Sequence, residues 1–178
     1  LNAGIGWGGS CFGKDTAALV ATAKDYNLDM PIIRAARDVN YAQRVWVVDR
    51  LQEELKILKG KHIALLGFSF KPNTDDLRDA PSLDISKLLV QRGAIVRAHD
   101  PVALENARSQ YPNIGISYSS ELEHTLDEAD AIVLVTEWPI YRELNWETIP
   151  PVSVIDGRNF LDRDRLTKLG FHVVGIGR

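Results

Sequence analysis

The chain has one cysteine in 178 residues, which excludes an internal disulfide and any cysteine-rich metal cluster. An excess of one charge is missing too. The 21 Lys and Arg stand against 24 Asp and Glu, a formal net charge of −3, and no basic block follows a nucleic-acid backbone or a membrane surface. No apolar run reaches the roughly 20 residues a helix needs to cross a bilayer. The start, LNAGIGWGG, lacks the basic-then-apolar order of a secretory signal. Nucleic acid and membrane are therefore not expected partners, and a reducing compartment, the cytoplasm, is expected. Internal repeats and low-complexity tracts are also absent. What is present is 45% hydrophobic and 25% charged, the mixture of a cored globular protein. Leu1 stands where an initiator Met is expected, and the glycine-rich opening follows no strand or helix; both predict a piece of a longer protein.

Two textures divide the chain. In residues 1–59 a glycine-rich loop is followed by a short helix over 15–24, DTAALVATAK, with an acidic residue at its start. A long helix over 31–59 comes next, opening on Pro31 and closing at Gly60. Ile32, Ala35, Val39, Ala42, Val45, Trp46, Leu51, Leu55 and Leu58 give that helix apolar residues on more than one side, so it is expected to pack against two bodies. In residues 60–178 apolar runs alternate with amphipathic ones: HIALLGFSF, SLDISKLLVQRG, AIVRAHDP, ALENARSQYP, GISYS, a helix over 120–129, AIVLVTE, a connection WPIYRELNWETIP, SVIDGR, DRDRLTKLG and HVVGIG. Apolar strands separated by crossover helices predict an α/β fold with a parallel sheet covered on both faces, Rossmann-like in layout.

Several segments carry chemistry. Gly8-Gly9-Ser10-Cys11-Phe12-Gly13-Lys14-Asp15 nearly matches a phosphate-binding P-loop, but Asp15 occupies the position where Ser or Thr would hold magnesium, and no hydrophobic strand precedes the glycines. It does set a thiol among glycines, close to Lys14 and at a helix N-terminus, conditions that favour a thiolate nucleophile. The plainer alternative is a small cysteine buried in a tight turn. The second segment, FSFKPNTDDLRDAPS, follows the first strand of the sheet, where such folds bind ligands, yet it lacks GxGxxG and so cannot hold a dinucleotide pyrophosphate in the usual way. Lys71 and Arg78 can bind an anion there, with Phe70 packing on a ring; alternatively the loop is solvated and Asp75-Asp76 neutralises Arg78. Arg158 follows a later strand in IDGRN, with Asp156 as its possible ion-pair partner. Trp138, Tyr141 and Trp146 have few basic neighbours and read as packing. The four histidines show no paired ligand spacing, so no metal is expected.

Taken in order, GWGGSCFGKD, FSFKPNTDDLRDAPS, TEWPIY and IDGRNFLD resemble the nucleotide-sugar dehydrogenases over nearly the whole chain. The phenylalanines beside Cys11 and Lys71 resemble the UDP-glucose branch most, with the GDP-mannose and UDP-N-acetylmannosamine branches as close competitors. The resemblance implies a long central helix that builds a homodimer, followed by a nucleotide-sugar domain, with an NAD-binding domain ahead of both that this chain lacks. It implies that Cys11 is the nucleophile in a two-step oxidation of a UDP-sugar by NAD, through a thiohemiacetal and a thioester. Asp15 resembles the aspartate that assists water activation, and Lys14 a lysine on the cofactor side. Asn2, Gly4, Gly6 and Gly8 resemble a backbone cradle for the sugar nucleotide, which Phe70, Lys71 and Arg158 complete. Arg78 resembles an NAD contact, which with Cys11 and Lys14 makes up the cofactor side. Gly13 departs from the pattern, since many members carry proline or another side chain there. The chain alone is expected not to turn over. A free-standing nucleotide-binding or dimerisation module without catalysis is the alternative from another class.

Overall fold

The computed structural model describes residues 3–177. Helix α1 runs over Phe12–Asp25 and α2 over Pro31–Leu55. The first begins directly after Cys11, earlier than the acidic residue at 15 suggested. The second starts at Pro31, whose missing N–H costs nothing in a first turn, but it stops before 59. Lys56 takes φ +66 and its N–H closes on the Gln52 carbonyl at 2.8 Å, so a left-handed lysine ends the helix. Gly60 instead turns the chain into the sheet, its N–H bonded to the Gly93 carbonyl.

Strands β1 (His62–Leu66), β2 (Ile95–His99), β3 (Ser117–Tyr118), β4 (Ala131–Leu134), β5 (Ser153–Asp156) and β6 (His172–Gly175) form one sheet in the order β3-β2-β1-β4-β5-β6. Every pairing is parallel. The crossovers carry α3 (Pro81–Gln91), α4 (Leu104–Gln110), α5 (Leu122–Leu126), α6 (Pro139–Arg142) and α7 (Arg163–Lys168). All four residues of β4 are buried, which explains why AIVL shows no polar alternation: helices cover both faces of this central strand. The period of two sorts the strand residues between two cores. Ile63, Leu65, Val133 and Ile155 join Val47, Val48 and Leu51 of α2 with Ile85 and Leu89 of α3. Leu66, Ile132, Leu134 and Val154 join Trp138, Tyr141, Trp146 and Phe171 on the other face, so the aromatic cluster is packing.

The strand order reverses between β1 and β4, the place where open α/β sheets bind ligands beyond their carboxyl ends. β1 does not extend to Phe70. Gly67 takes φ +88 as the chain leaves the sheet, and a Cβ there would lie 2.6 Å from the Thr136 backbone nitrogen, so glycine is required on both counts. Among the described residues no helix is long and apolar enough to cross a membrane.

Candidate functional site

The glycine-rich loop lies across this switch point. At one end the Ile5 N–H donates to the Gly157 carbonyl after β5 (3.0 Å), and at the other the Gly9 N–H donates to the Arg78 carbonyl in the β1–α3 loop (2.8 Å). Small residues are required for so close an approach. A Cβ on Gly8 would lie 2.3 Å from the Asp79 carbonyl oxygen, and one on Gly4 would lie 3.1 Å from Arg158 Nη1. Gly6 (φ +93) and Gly9 (φ +91) add left-handed backbone, with Asn40 Oδ1 at 2.4 Å and the Phe70 ring at 2.9 Å from their virtual Cβ positions. Two side chains of α2 hold the loop from below. Asn40 Oδ1 accepts the Trp7 N–H (2.6 Å), while the Trp7 carbonyl accepts from Asn40 Nδ2 (3.2 Å) and Arg44 Nη2 (2.8 Å).

The loop then enters α1 through Cys11, which is exposed, with Ser10 Oγ 3.6 Å from its sulfur. No strand precedes Gly8 among the described residues, so the segment is not a P-loop. Cys11 lines a cavity of about 790 Å³ together with Lys14, Arg37, Arg44, Arg78 and Asp79, walls that carry more cations than carboxylates. Arg37 donates to Thr16 Oγ1 (2.7 Å) and the Gly13 carbonyl, fixing α2 against the first turn of α1. Arg78 is neutralised by Asp76, with Nη2 to Oδ2 at 2.7 Å and Nε to both oxygens; these bonds hold the Asp76 carboxyl below its ordinary range. Burial works against the charge on Arg44, but hydrogen bonds to Asp79 and Asp84 outweigh it and raise its pKa. Lys14 and Asp15 form an exposed ion pair at 3.4 Å, and Asp15 is not on the cavity wall.

The remaining predicted residues lie beneath or beside the loop rather than in that cavity. Arg158 is mostly buried: Nε donates to the Val135 carbonyl (2.7 Å) and Nη1 to the Gly6 carbonyl (3.3 Å). Its ion-pair partner is Glu137, 3.3 Å from Nε, while Asp156 accepts the Arg158 backbone N–H (3.0 Å). Burial lowers the Arg158 pKa and Glu137 opposes it. Phe70 packs on Gly9, and Lys71 is exposed with Nζ 5.4 Å from the Phe70 ring centre. Asn2 lies outside the described residues.

Sequence reasoning missed the residues that hold the site rather than line it. Asn40 and Arg44 fall on the buried stripe that continues through Val47, Val48 and Leu51. Polar residues in register with an apolar stripe were the available signal. Asp100 was missed as well. It stands directly after β2, near the place where a dinucleotide-binding domain keeps an acid for ribose. Here Oδ2 turns inward and accepts from the Phe68 N–H (2.7 Å), the Ser69 N–H (3.0 Å) and the Trp138 indole (3.1 Å), while Oδ1 accepts from Val102 and Ala103. The carboxylate is committed to bracing the loops and not to a ligand.

A parallel sheet in the order 3-2-1-4-5-6, a glycine loop across its switch point and an exposed thiol on the wall of an adjoining cavity define a Rossmann-like α/β protein with its candidate site at the carboxyl ends of the strands. The family models agree. Residues 64–163 match the UDP-glucose/GDP-mannose dehydrogenase family, UDP binding domain, and residues 1–42 match the central domain of the same family. The chain belongs to the UDP-glucose/GDP-mannose dehydrogenase family. It is 39% identical over 182 residues to a UDP-glucose 6-dehydrogenase of Bacillus subtilis strain 168, covering 100% of this chain and 39% of that protein. Among solved structures, it resembles a UDP-glucose dehydrogenase of Pyrobaculum islandicum (TM-score 0.85, 35% identity, 98% of this chain and 38% of that one). It also resembles an NDP-N-acetyl-D-galactosaminuronic acid dehydrogenase of Methanosarcina mazei (TM-score 0.87, 32% identity, 100% and 40%). The chain thus spans well under half the length of the relatives it matches.

Proposed function

We propose that this chain is the central and C-terminal part of an NAD-dependent UDP-glucose 6-dehydrogenase, which oxidises the C6 alcohol of UDP-glucose to the carboxylate of UDP-glucuronate. The observation that carries this reading is the exposed Cys11 thiol at the N-terminus of α1, on the wall of a cavity with Lys14 and Arg78. The residues present fit a dinucleotide. Among the cations on the wall of the cavity of about 790 Å³, Arg44 is committed to Asp79 and Asp84, whereas Lys14 and Arg78 are exposed and would exchange Asp15 and Asp76 for a pyrophosphate. Lys14 and Arg78 would hold NAD, which supplies the hydride acceptor for each of the two oxidations.

The protein residues divide the remaining work. The Cys11 thiolate adds to the C6 aldehyde, forming a C–S bond and splitting a four-electron change into two easier ones. After loss of the second hydride the adduct is a thioester; water cleaves its C–S bond, releasing the carboxylate and returning the thiol. Asp15, one helical turn from Cys11 with its N–H on the Cys11 carbonyl (2.8 Å), takes the proton of that water once its exposed pair with Lys14 opens. Gly4, Gly6 and Gly8 let the loop backbone approach the sugar nucleotide, and Phe70, Lys71 and Arg158 complete the cradle. The uridine base is supported by the match to a UDP binding domain. A homodimer through the central helix α2 is supported by its exposed apolar side chains, Ile32 and Val39 among them. A nucleotide-sugar substrate and a single free thiol favour the cytoplasm.

The likeness to the Methanosarcina mazei enzyme favours an N-acetylated sugar as the second reading. Steady-state oxidation by the full-length enzyme of UDP-glucose, GDP-mannose and UDP-N-acetylmannosamine decides between them. UDP-glucose is expected to give the highest kcat/KM, and Cys11→Ser is expected to cut acid formation on the order of a thousandfold or more. Normal acid formation by the serine variant would remove Cys11 from the mechanism.

A further inference from the structure

We propose that Arg44 is a positioning residue that holds the thiol loop and the Arg78 loop in one register through Asp79. The proposal rests on the dehydrogenase reading for its activity readout, and its thiol readout stands without that reading. Arg44 lies on α2 with 3% of its surface exposed. Its Nη1 donates to Asp79 Oδ1 (2.9 Å) and Asp84 Oδ2 (2.6 Å), and its Nη2 donates to the carbonyls of Trp7 (2.8 Å) and Asp79 (3.3 Å). One guanidinium therefore joins the glycine loop that leads to Cys11, the loop that carries Arg78 and the first turn of α3. A planar fork matches these partners; a lysine, with a single compact ammonium, cannot reach them in the same geometry.

Asp79 shows what the fork is holding. Its backbone adopts φ +50, a conformation that costs a non-glycine residue free energy and persists where its surroundings over-determine it. Arg44 grips both the carboxylate and the carbonyl of this residue. The carbonyl oxygen lies 2.3 Å from the position of a Cβ on Gly8, and Oδ2 lies 2.9 Å from that of a Cβ on Gly13. The missing side chain of Gly13 is thus the space into which the Asp79 carboxylate fits, against the N-terminal end of α1. Arg78, next in sequence to Asp79, and Cys11, which opens α1, are set on the cavity wall from the same anchor. Arg44 is buried but its partners face solvent, with 43% of the Asp79 and 30% of the Asp84 side chain exposed, and ion pairs open to solvent contribute little net stability, so stability alone is a poor account of them.

The test uses Arg44→Lys, Asp79→Asn and their double variant in the full-length enzyme. Asp79→Gly is added because glycine keeps the left-handed backbone while removing the carboxylate. If Arg44 and Asp79 act as one unit, each single variant lowers kcat/KM per titrated thiol about tenfold, and the double variant falls no further than the worse single one. The rate of Cys11 alkylation by iodoacetamide shifts severalfold in the same variants, a readout that needs no turnover. A fall in thermal midpoint with unchanged kcat/KM and alkylation rate, or additive losses in the double variant, would overturn the proposal. If Arg44→Lys does not fold, Asp79→Gly carries the test alone. Wild-type enzyme that leaves every nucleotide sugar unoxidised would sink the dehydrogenase reading, and the alkylation rates would still decide this one.

Discussion

The two ends of α2 live in different environments. Its second half buries Val47, Val48 and Leu51 against the sheet, whereas before Arg44 it buries only Asn40, and α1 buries only Ala23. Ile32 is 83% exposed and Val39 58%, while Leu66, Ile132 and Leu134 in the sheet are fully buried. The α/β body therefore closes its own core, and the helical arm carries apolar surface that its own fold leaves uncovered. The candidate site stands at the junction: Cys11 comes from the arm, Arg78 and Arg158 from the body, and Arg44 ties the two together through Trp7, Asp79 and Asp84. Each part can be perturbed on its own to test this division.

The largest stability effect is expected in the body. Leu134→Ala should cost about 2–5 kcal/mol, the range for deleting a fully buried leucine side chain. The same change at Leu19 on α1, 46% exposed, should stay within about 0.5 kcal/mol for an isolated protomer. Urea unfolding followed by tryptophan fluorescence compares the two, and equal losses would abolish the distinction between body and arm. Next in size is assembly. Ile32→Asp should weaken a dimer about tenfold or more, the scale of losing an interface anchor, and sedimentation velocity should show the shift toward monomer. An unchanged sedimentation profile would assign that face to something other than a second copy.

The smallest effect is a pH dependence confined to the body. His99 is buried with Nδ1 3.0 Å from the Tyr141 hydroxyl, and burial lowers its pKa below the ordinary 6.5, with Asp100 opposing. The unfolded chain then binds a proton more readily than the folded one. The contribution of His99 is complete above pH 6.5 and is lost as pH falls from there toward the folded value. His99→Gln should flatten the stability profile over that window, measured by urea midpoints from pH 5 to 8.

The body was legible in the sequence because its strands are short apolar runs between amphipathic crossovers, and periodicity alone orders them. AIVL and SVID declare themselves in this way. Of the candidate site, motifs in the sequence offered Cys11, Arg78 and Arg158, and the fold sets Cys11 and Arg78 on one cavity wall with Arg158 beneath the glycine loop. What holds those side chains was not legible, because Arg44 meets Trp7, Asp79 and Asp84 across tertiary distances that no local spacing encodes. The partner of Arg158 illustrates the limit. Asp156 was the nearer carboxylate in sequence, yet the chain brings Glu137 to the guanidinium from the end of the neighbouring strand. The end of α2 was misjudged for a local reason: glycine is the usual left-handed stop, and here Lys56 serves instead.

The most direct test of the central claim is acid-quenched peptide mapping of the full-length enzyme during oxidation of UDP-glucose with NAD. The account predicts a UDP-sugar acyl adduct on the peptide that carries Cys11, discharged by hydroxylamine as a thioester is. UDP-glucuronate formation with Cys11 unmodified throughout, and undiminished in Cys11→Ser, would contradict it.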